Sequence, residues 1–121
     1  MIKLVYCVTR KQSVSPEDFY SYWLTQHAQK VVKRQKVLRA LKYIQSHTME
    51  PELNELLRQS RGLEAPYDGI TEVWWDSADD VRAILGTSEG VKAMQELLED
   101  ESTFIDFARS RLFLTEEHQI F

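Results

Sequence analysis

The sequence predicts an α+β protein in which one four-stranded sheet is covered by helices on a single face. Three observations support this fold class. The length of 121 residues fits one domain. Apolar, β-branched segments alternate with segments of helical periodicity, in the order strand, helix, strand, short helix, strand, helix, strand. The helical segments are sufficient to cover only one face of such a sheet.

The first two elements have clear boundaries. Residues 2–9 are apolar and β-branched and predict a buried strand. Ser15 is a good N-cap, Pro16 suits the first helical position, and Asp18 follows three residues after the cap, as in a capping box. We expect this helix to run into the low thirties, with room for a break, and to end before Leu38.

Residues 39–48 predict the second strand, whose alternation places Leu41, Tyr43, Gln45 and His47 on one face. A short amphipathic helix follows. It begins at Pro51, carries a leucine stripe, and can end at Gly62.

Residues 69–76 predict the third strand, and Ser77 is positioned to cap the next helix. Asp79 and Asp80 fall in its first turn, where the helix dipole favours negative charge. A break is expected near Gly86 to Gly90, and residues 106–116 alternate well enough for a fourth strand.

Composition narrows the possible partners. The net charge is −4 and no basic block is present, so nucleic acid is not an expected partner. The single cysteine, Cys7, cannot form an internal disulfide and is expected to be a small buried residue. No signal segment and no apolar run of membrane-spanning length is visible, which favours a cytoplasmic protein without a membrane partner.

Motifs for metals and cofactors are absent. The sequence contains no HExxH, CxxC, GxGxxG or Walker pattern. Its three histidines and one cysteine do not have zinc-ligand spacing. We therefore expect no metal and no cofactor, although a haem needs only one axial histidine.

A sheet covered on one face leaves the other face bare. The side chains predicted for that face are not all polar, and a half-apolar surface of this size favours pairing with a second copy. A symmetric twofold contact is the commonest way to close such a surface. We therefore expect a homodimer with its two sheets face to face.

Four segments in sequence carry a family resemblance. They are Phe19-Tyr20-x-Tyr22-Trp23-x-x-x-His27, Tyr43-Ile44-Gln45-x-His47, Tyr67-Asp68-Gly69-Ile70-x-Glu72-x-Trp74-Trp75-Asp76-Ser77, and Asp100-Glu101-x-x-Phe104. Together they resemble the EthD-like family over nearly the whole chain.

The resemblance implies a fold. EthD-like proteins belong to the dimeric α+β barrels, which have a ferredoxin-like four-stranded antiparallel sheet. Residues 1–121 would then form a single EthD-like domain. Residues 50–66, which depart from the minimal ferredoxin-like plan, would be a helical insertion at the cavity mouth or the dimer edge.

The resemblance also implies a cavity between the sheet and the helices of each subunit. Relatives in the wider superfamily include polyketide cyclases, monooxygenases that need no cofactor, isomerases and haem proteins. Fold alone does not choose among these chemistries.

The aromatic helix carries the first candidate catalytic residue, His27. On a helix, Phe19, Tyr22, Trp23 and His27 share one face that should point at the sheet. Phe19 and Trp23 are expected to pack in the core. His27 is either a hydrogen-bonded core residue or a general base or acid in the cavity, where its usual pKa suits proton transfer near neutral pH.

His47 is the second candidate catalytic residue, because it ends the second strand on the face of Tyr43 and Gln45. Glu72 is either in an ion pair, for instance with Arg109 or Arg111 on the fourth strand, or an acid with a raised pKa. His118 is expected at the surface. The predicted substrate-binding residues are Tyr22, Trp23, Tyr43, Gln45, Glu72 and Trp74.

These features favour a small cofactor-independent enzyme that acts by proton transfer on a hydrophobic, aromatic or polyketide-like molecule. Cyclisation, dehydration and decarboxylation are reactions of this kind. One alternative is an oxidoreductase or an accessory protein of an oxygenase in a degradation pathway. Another is a dimer that binds a hydrophobic small molecule without converting it.

Overall fold

A computed structural model describes residues 1–121. One sheet contains four antiparallel strands in the order β2-β3-β1-β4, with the helices on one face. The elements are β1 (Ile2–Val8), α1 (Pro16–Tyr22), a π-helical turn (Trp23–His27), α2 (Ala28–Lys33), α3 (Gln35–Leu38), β2 (Lys42–His47), α4 (Pro51–Arg61), β3 (Gly69–Trp75), α5 (Ala78–Gly86), α6 (Ser88–Glu101), a 3₁₀ turn (Phe107–Arg109) and β4 (Arg111–Glu116).

The helix ends follow the predicted chemistry in most places. The Ser15 side chain accepts a hydrogen bond from the Asp18 amide at 3.2 Å and so caps α1. Gly62 ends α4 in the left-handed conformation, with φ of 61°. Ser77 occupies the N-cap position of α5, but its side chain makes no capping hydrogen bond.

Three predicted boundaries were wrong. The second strand starts at Lys42 rather than at residue 39. The first helical region includes Leu38, because α3 follows a short kink at Arg34 and ends only where Arg39 is left-handed, with φ of 55°. The fourth strand starts at Arg111 rather than at residue 106. The preceding residues form a 3₁₀ turn, in which the Ser110 hydroxyl donates to the Asp106 carbonyl at 2.7 Å.

Strand pairing defines the two faces of the sheet. Tyr6 of β1 pairs with Thr71 of β3, and Thr71 pairs in turn with Gln45 of β2. Side chains of paired residues lie on the same face, so these three residues form one row across the helix-covered face. The alternate residues form what we call the open face, which no helix covers; they include Val5, Cys7, Ile44, Ile70, Glu72, Trp74 and Phe113.

The apolar core is divided into two clusters. One contains Val8, Phe19, Trp23, Phe104 and Ile105, and the other contains Leu38, Trp75, Ile84, Ala93 and Leu97. The first lies at the Val8 end of β1, whereas the second packs against Ile2 and Leu4 at the opposite end. The row of Tyr6, Thr71 and Gln45 lies between these ends, so the middle of the helix-covered face is polar.

A glycine determines how closely the aromatic helix approaches the sheet. A Cβ atom on Gly69 would lie 2.6 Å from the Trp23 ring and 2.6 Å from the Ser46 carbonyl oxygen. Such contacts are too short for any side chain larger than hydrogen. Gly69 therefore allows Trp23 to pack directly on β3.

Helix α4 occupies the segment in which a helical insertion was predicted. None of its residues is buried, and Leu53, Leu56 and Leu57 are all exposed. No helix of the structure combines the length and apolarity needed to cross a membrane.

Candidate active site

The π-helical turn lies at the centre of the candidate site. The Ala28 amide reaches back five residues to the Trp23 carbonyl, which is the bonding pattern of a π-helix. The same carbonyl accepts a second hydrogen bond from Gln45 Nε2 at 2.7 Å. Turns of this kind are frequent at functional sites. This one joins the aromatic helix to the polar middle of the sheet.

His27, at the end of the turn, is buried and paired with a buried carboxylate of α6. Its Nδ1 atom lies 2.7 Å from Asp100 Oδ2. Because a carboxylate can only accept, Nδ1 carries the proton, and Nε2 holds the free lone pair. No group of the chain forms a hydrogen bond with Nε2. The pair therefore presents a neutral imidazole with its basic nitrogen available.

Asp100 is held by three groups at once. Lys30 Nζ lies 2.7 Å from Oδ1, and the Tyr22 hydroxyl donates to the same oxygen. Burial alone would raise the pKa of Asp100, but the hydrogen bonds from Lys30, Tyr22 and His27 outweigh burial and lower it. The carboxylate is therefore ionised and fixed in place.

Burial also determines the charge of His27. It lowers the pKa of the imidazole below its usual range, and the hydrogen bond to Asp100 opposes only part of that effect. The Lys30 ammonium already compensates the charge of Asp100, and its own charge further disfavours the imidazolium. His27 is consequently neutral near neutral pH, as a general base must be before it takes a proton.

A second hydrogen-bonded chain runs along β2. Since the Trp23 carbonyl can only accept, the amide of Gln45 is oriented with Nε2 toward it and Oε1 toward His47, whose Nε2 is 2.9 Å away. The other Nε2 hydrogen of Gln45 goes to the Tyr43 hydroxyl oxygen at 2.8 Å. His47 therefore carries its proton on Nε2 and leaves Nδ1 free, and Tyr43 keeps its own hydroxyl hydrogen to donate.

The His47 ring is stacked against the aromatic helix. Its centroid is 4.5 Å from that of Trp23, nearly parallel, and 5.2 Å from that of Tyr20. Partial burial lowers the pKa of His47. The structure thus brings six predicted site residues together on the helix-covered side: Tyr22, Trp23, His27, Tyr43, Gln45 and His47.

Two other predicted site residues lie on the open face. Glu72 forms an ion pair, which is one of its two predicted roles, but the partner is Lys3 at 2.8 Å and not an arginine of the predicted fourth strand. Glu72 is directly paired with Val5 of β1, and Lys3 lies two residues from Val5 on the same face, opposite Trp74. Trp74 donates to Glu117 and lies under the Lys42 ammonium, which is 4.9 Å from the ring centroid. Within one chain, neither residue shares a site with His27.

The two remaining singled-out residues also lie outside the site. Cys7 is half-buried on the open face rather than in the core, because alternation along β1 turns it away from the helices. His118 is exposed, with Nε2 3.3 Å from Glu116. No three His, Cys, Asp or Glu side chains are grouped so that they could hold a metal ion.

Sequence reasoning missed Asp100 and Glu101 as site residues. A usable signal was present, because Gly90, Ala93, Leu97 and Asp100 form the buried stripe of α6. A carboxylate on such a stripe needs a buried partner. Glu101, one residue on, turns toward Tyr6 and the sheet.

A depression of about 290 Å³ lies on the outer side of α1. Tyr22 and Phe104 contribute to its wall, and both contact the buried pair: Tyr22 through Asp100, and Phe104 through a ring contact of 5.1 Å with His27. The depression and the His27–Asp100 pair thus share two neighbouring side chains. The depression is lined by Val14, Asp18, Ser21, Tyr22, Gln26, Thr103 and Phe104.

Solved structures with the same fold are similar to this chain along its whole length. An EthD family protein from Bacillus halodurans is 14% identical with a TM-score of 0.62, and the match covers 98% of this chain and 99% of that one. A dimeric protein of unknown function with a ferredoxin-like fold, from Bacteroides fragilis, is 13% identical with a TM-score of 0.59, over 96% and 95% of the two chains. SnoaB, a cofactor-independent oxygenase from Streptomyces nogalater, is 13% identical with a TM-score of 0.52, over 98% and 93%.

The order of strands, the single helical layer and these likenesses define the class as ferredoxin-like α+β proteins. Within that class, the model of the EthD domain family matches residues 11–108. The chain therefore belongs to the EthD family. No curated protein matches this sequence.

Proposed function

We propose that this protein is a cofactor-independent enzyme that transfers protons on a hydrophobic, aromatic or polyketide-like small molecule. The observation that carries the proposal is the buried Asp100–His27 pair, with Nδ1 fixed by the carboxylate and Nε2 free. An imidazole oriented by a carboxylate is a common arrangement for a general base.

The chemistry follows from the geometry of that pair. Nε2 of His27 takes a proton from an acidic C–H or O–H of the bound molecule. Asp100 stabilises the imidazolium that forms, and Lys30 keeps the carboxylate ionised. In an isomerisation the proton returns to another carbon or oxygen of the same molecule, and in a dehydration it goes to a hydroxyl that leaves as water. In a ring closure the carbanion attacks a carbonyl carbon of the same molecule and the proton goes to the new alkoxide. In a decarboxylation the proton comes from the carboxylic acid and goes to the carbanion that remains when CO₂ leaves. Trp23 and Phe104 provide apolar surface beside the imidazole.

His47 is proposed as a second proton carrier or a positioning residue. Its Nδ1 is free, and Gln45 fixes its ring orientation. Glu72 and Trp74 are proposed substrate-binding residues only for a ligand that reaches the open face, because both lie there.

Proton exchange provides a direct test that needs no knowledge of the natural substrate. A bicyclic aryl ketone such as 1-tetralone is incubated with the protein in D₂O, and loss of the α-proton signal is followed by NMR. We expect the wild-type protein to accelerate exchange, and His27→Gln to lower the rate by at least about a hundredfold.

The matched control is Gln29→Ala, which removes an exposed side chain two residues after His27 that does not line the depression. It should exchange at the wild-type rate. Equal exchange rates for wild type and His27→Gln, with both folded, would contradict a base at this position and favour a protein that binds its ligand without converting it.

A second candidate function is a cofactor-independent oxygenase, favoured by the likeness to SnoaB. In that case His27 would deprotonate an electron-rich phenol, and the resulting anion would be the species that reduces O₂. Uptake of O₂ by the purified protein with a hydroquinone-type phenol, lost in His27→Gln, would select this function over simple proton transfer.

A further inference from the structure

The middle of the helix-covered face holds polar groups that the proposed proton transfer does not use. Glu101, Tyr6 and Tyr43 come from α6, β1 and β2, and all three are half-buried between the two apolar clusters. The carboxyl of Glu101 forms no salt bridge and no short hydrogen bond within the chain. Buried polar groups normally have partners, so this cluster requires an explanation.

Helix geometry separates Glu101 from its neighbour Asp100. Consecutive residues of an α-helix point about 100° apart, since there are 3.6 residues per turn. Asp100 consequently turns toward the π-helical turn and His27, whereas Glu101 turns toward the sheet, where the Tyr6 hydroxyl interacts with its carboxyl. The cluster therefore adjoins the His27 pair and is distinct from it.

Some hydrogen-bonding groups of the cluster have partners within the chain, and others are free. Both amide hydrogens of Gln45 are committed, one to the Trp23 carbonyl and one to the Tyr43 oxygen. The Tyr43 hydroxyl therefore accepts within the chain but keeps its own hydrogen for an external acceptor. The Glu101 carboxyl has acceptor capacity beyond its interaction with Tyr6. One free donor and one free acceptor thus lie on the same face.

Charge restricts what can occupy this position. No lysine or arginine pairs with Glu101, and the nearby ammonium of Lys30 is bound to Asp100. Asp100 adds further negative charge beside Glu101. An anionic ligand would therefore be repelled. A neutral hydroxyl on a planar ring can donate to the carboxyl, accept from Tyr43 and lie against apolar walls.

We propose that Glu101, Tyr6 and Tyr43 form a recognition site for the neutral hydroxyl of a phenol or an enol. This inference rests on the function proposed above and extends it. It names the class of substrate and the residues that bind the substrate's hydroxyl group. The hydroxyl donates its hydrogen to Glu101 and accepts from Tyr43. The ring lies toward the apolar cluster that contains Trp23 and Phe104.

Binding of two matched probes tests this inference without any need for turnover. 2-Naphthol carries the hydroxyl, whereas 2-naphthoate has the same ring system with an anionic group. Isothermal titration calorimetry at about pH 8 keeps 2-naphthol neutral. We expect the wild-type protein to bind 2-naphthol at least about tenfold more tightly than 2-naphthoate.

The variants locate the effect. Glu101→Gln should weaken 2-naphthol binding about tenfold and reduce the discrimination against 2-naphthoate. Tyr43→Phe should also weaken 2-naphthol binding. Glu99→Gln, an exposed carboxylate on the same helix, should change neither affinity. Glu101→Gln replaces the carboxyl by an amide of the same shape, so the fold should be preserved.

Three outcomes would overturn the inference: no binding of 2-naphthol, equal binding of the two probes by wild type, or unchanged 2-naphthol affinity in Glu101→Gln. The His27→Gln variant separates this inference from the proposed function. If His27→Gln loses proton exchange but keeps its affinity for 2-naphthol, the proposed proton-transfer function and the proposed hydroxyl site are both supported. If wild type binds 2-naphthol with the expected selectivity but shows no exchange, only the proton-transfer function fails.

Discussion

Two adjacent carboxylates at the end of α6 have opposite environments. Asp100 accepts hydrogen bonds from three groups, which lower its pKa despite burial. Glu101 lacks such partners, and burial raises its pKa to about 7, with Tyr6 opposing only part of the effect. Neighbouring acids with separated pKa values are typical of sites in which one group stays charged and another exchanges protons.

The buried partner of His27 leads to a prediction on stability. His27→Ala removes one of the three hydrogen bonds to Asp100 and leaves a void where a side chain is only 5% exposed. We expect the free energy of unfolding to fall by about 1–3 kcal/mol for the lost partner alone. Chemical denaturation measures this. An unchanged midpoint would indicate that His27 lines open space rather than packed core.

The raised pKa of Glu101 predicts how stability depends on pH. In the folded protein the carboxyl keeps its proton up to about pH 7, whereas the unfolded chain releases it near 4.5. The folded state therefore binds more protons between these values, and the free energy of unfolding contributed by Glu101 decreases as pH rises through that range. The decrease is at most about 3.5 kcal/mol, at about 1.4 kcal/mol per pH unit.

Glu101→Gln tests this prediction, because the amide does not ionise. Relative to wild type, the variant should gain stability steadily from about pH 4.5 to about pH 7 and hold that gain above. His27 has the opposite effect on the pH dependence of stability. Its pKa is lowered in the folded protein, so its contribution to the free energy of unfolding rises with pH. The comparison is therefore made between variant and wild type at each pH. A constant difference across the range would contradict the assignment.

At the scale of elements, the contact of the π-helical turn with β3 determines the shape of the site. Trp23 packs on Gly69 and stacks with His47, so one side chain links the helix, the third strand and the second strand. The Trp23 carbonyl is fixed separately by Gln45. Any displacement of Trp23 should therefore alter both histidines.

Gly69→Ala is the smallest change that displaces Trp23. The added methyl would lie 2.6 Å from its ring, and overpacking of this kind costs about 1–3 kcal/mol. We expect a lower melting temperature and a changed near-ultraviolet circular dichroism spectrum from the tryptophan. Gly86→Ala is the control, because no atom lies within 4 Å of its added methyl. Equal effects of the two substitutions would refute the role given to Gly69.

Helix α4 gives a contrasting prediction. Its three leucines are exposed, and none of its residues is buried, so it contributes little to the core of one chain. Replacing Leu53, Leu56 and Leu57 with Gln should leave the free energy of unfolding of a single chain within about 0.5 kcal/mol per site. The rate of 2-naphthol binding should change if α4 borders the entrance. Global unfolding of the triple variant would assign α4 to the core.

At the scale of the whole molecule, the open face exposes apolar side chains that no helix covers. Phe113 is 47% exposed and is paired with Val5 of β1, and Ile70 lies on the same face one strand further away, on β3. A face of this kind favours a second copy of the chain, and one similar structure belongs to a dimeric protein. We propose a homodimer with the two open faces in contact.

Sedimentation velocity at low micromolar concentration tests the dimer. We expect wild type to sediment as a dimer and Phe113→Glu to sediment as a monomer, because the substitution places charge in the proposed contact. Leu112→Glu is a matched control, since Leu112 is adjacent on β4, similarly exposed, and on the opposite face. A wild-type monomer, or dissociation by both variants alike, would reject the proposed contact.

The sequence by itself determined the order of elements, the α+β plan with helices on one face and the alternation of β2. These depend on local periodicity and on caps such as Ser15 and Gly62. It also put forward His27, His47, Tyr43 and Gln45 as candidate site residues, because titratable and polar side chains on apolar patterns are visible in one dimension. Only the tertiary structure decided which residues share a site. Asp100 meets His27 across 73 residues of chain, and Glu72 falls on the opposite sheet face. Such pairings depend on strand register and helix packing, which local sequence does not encode.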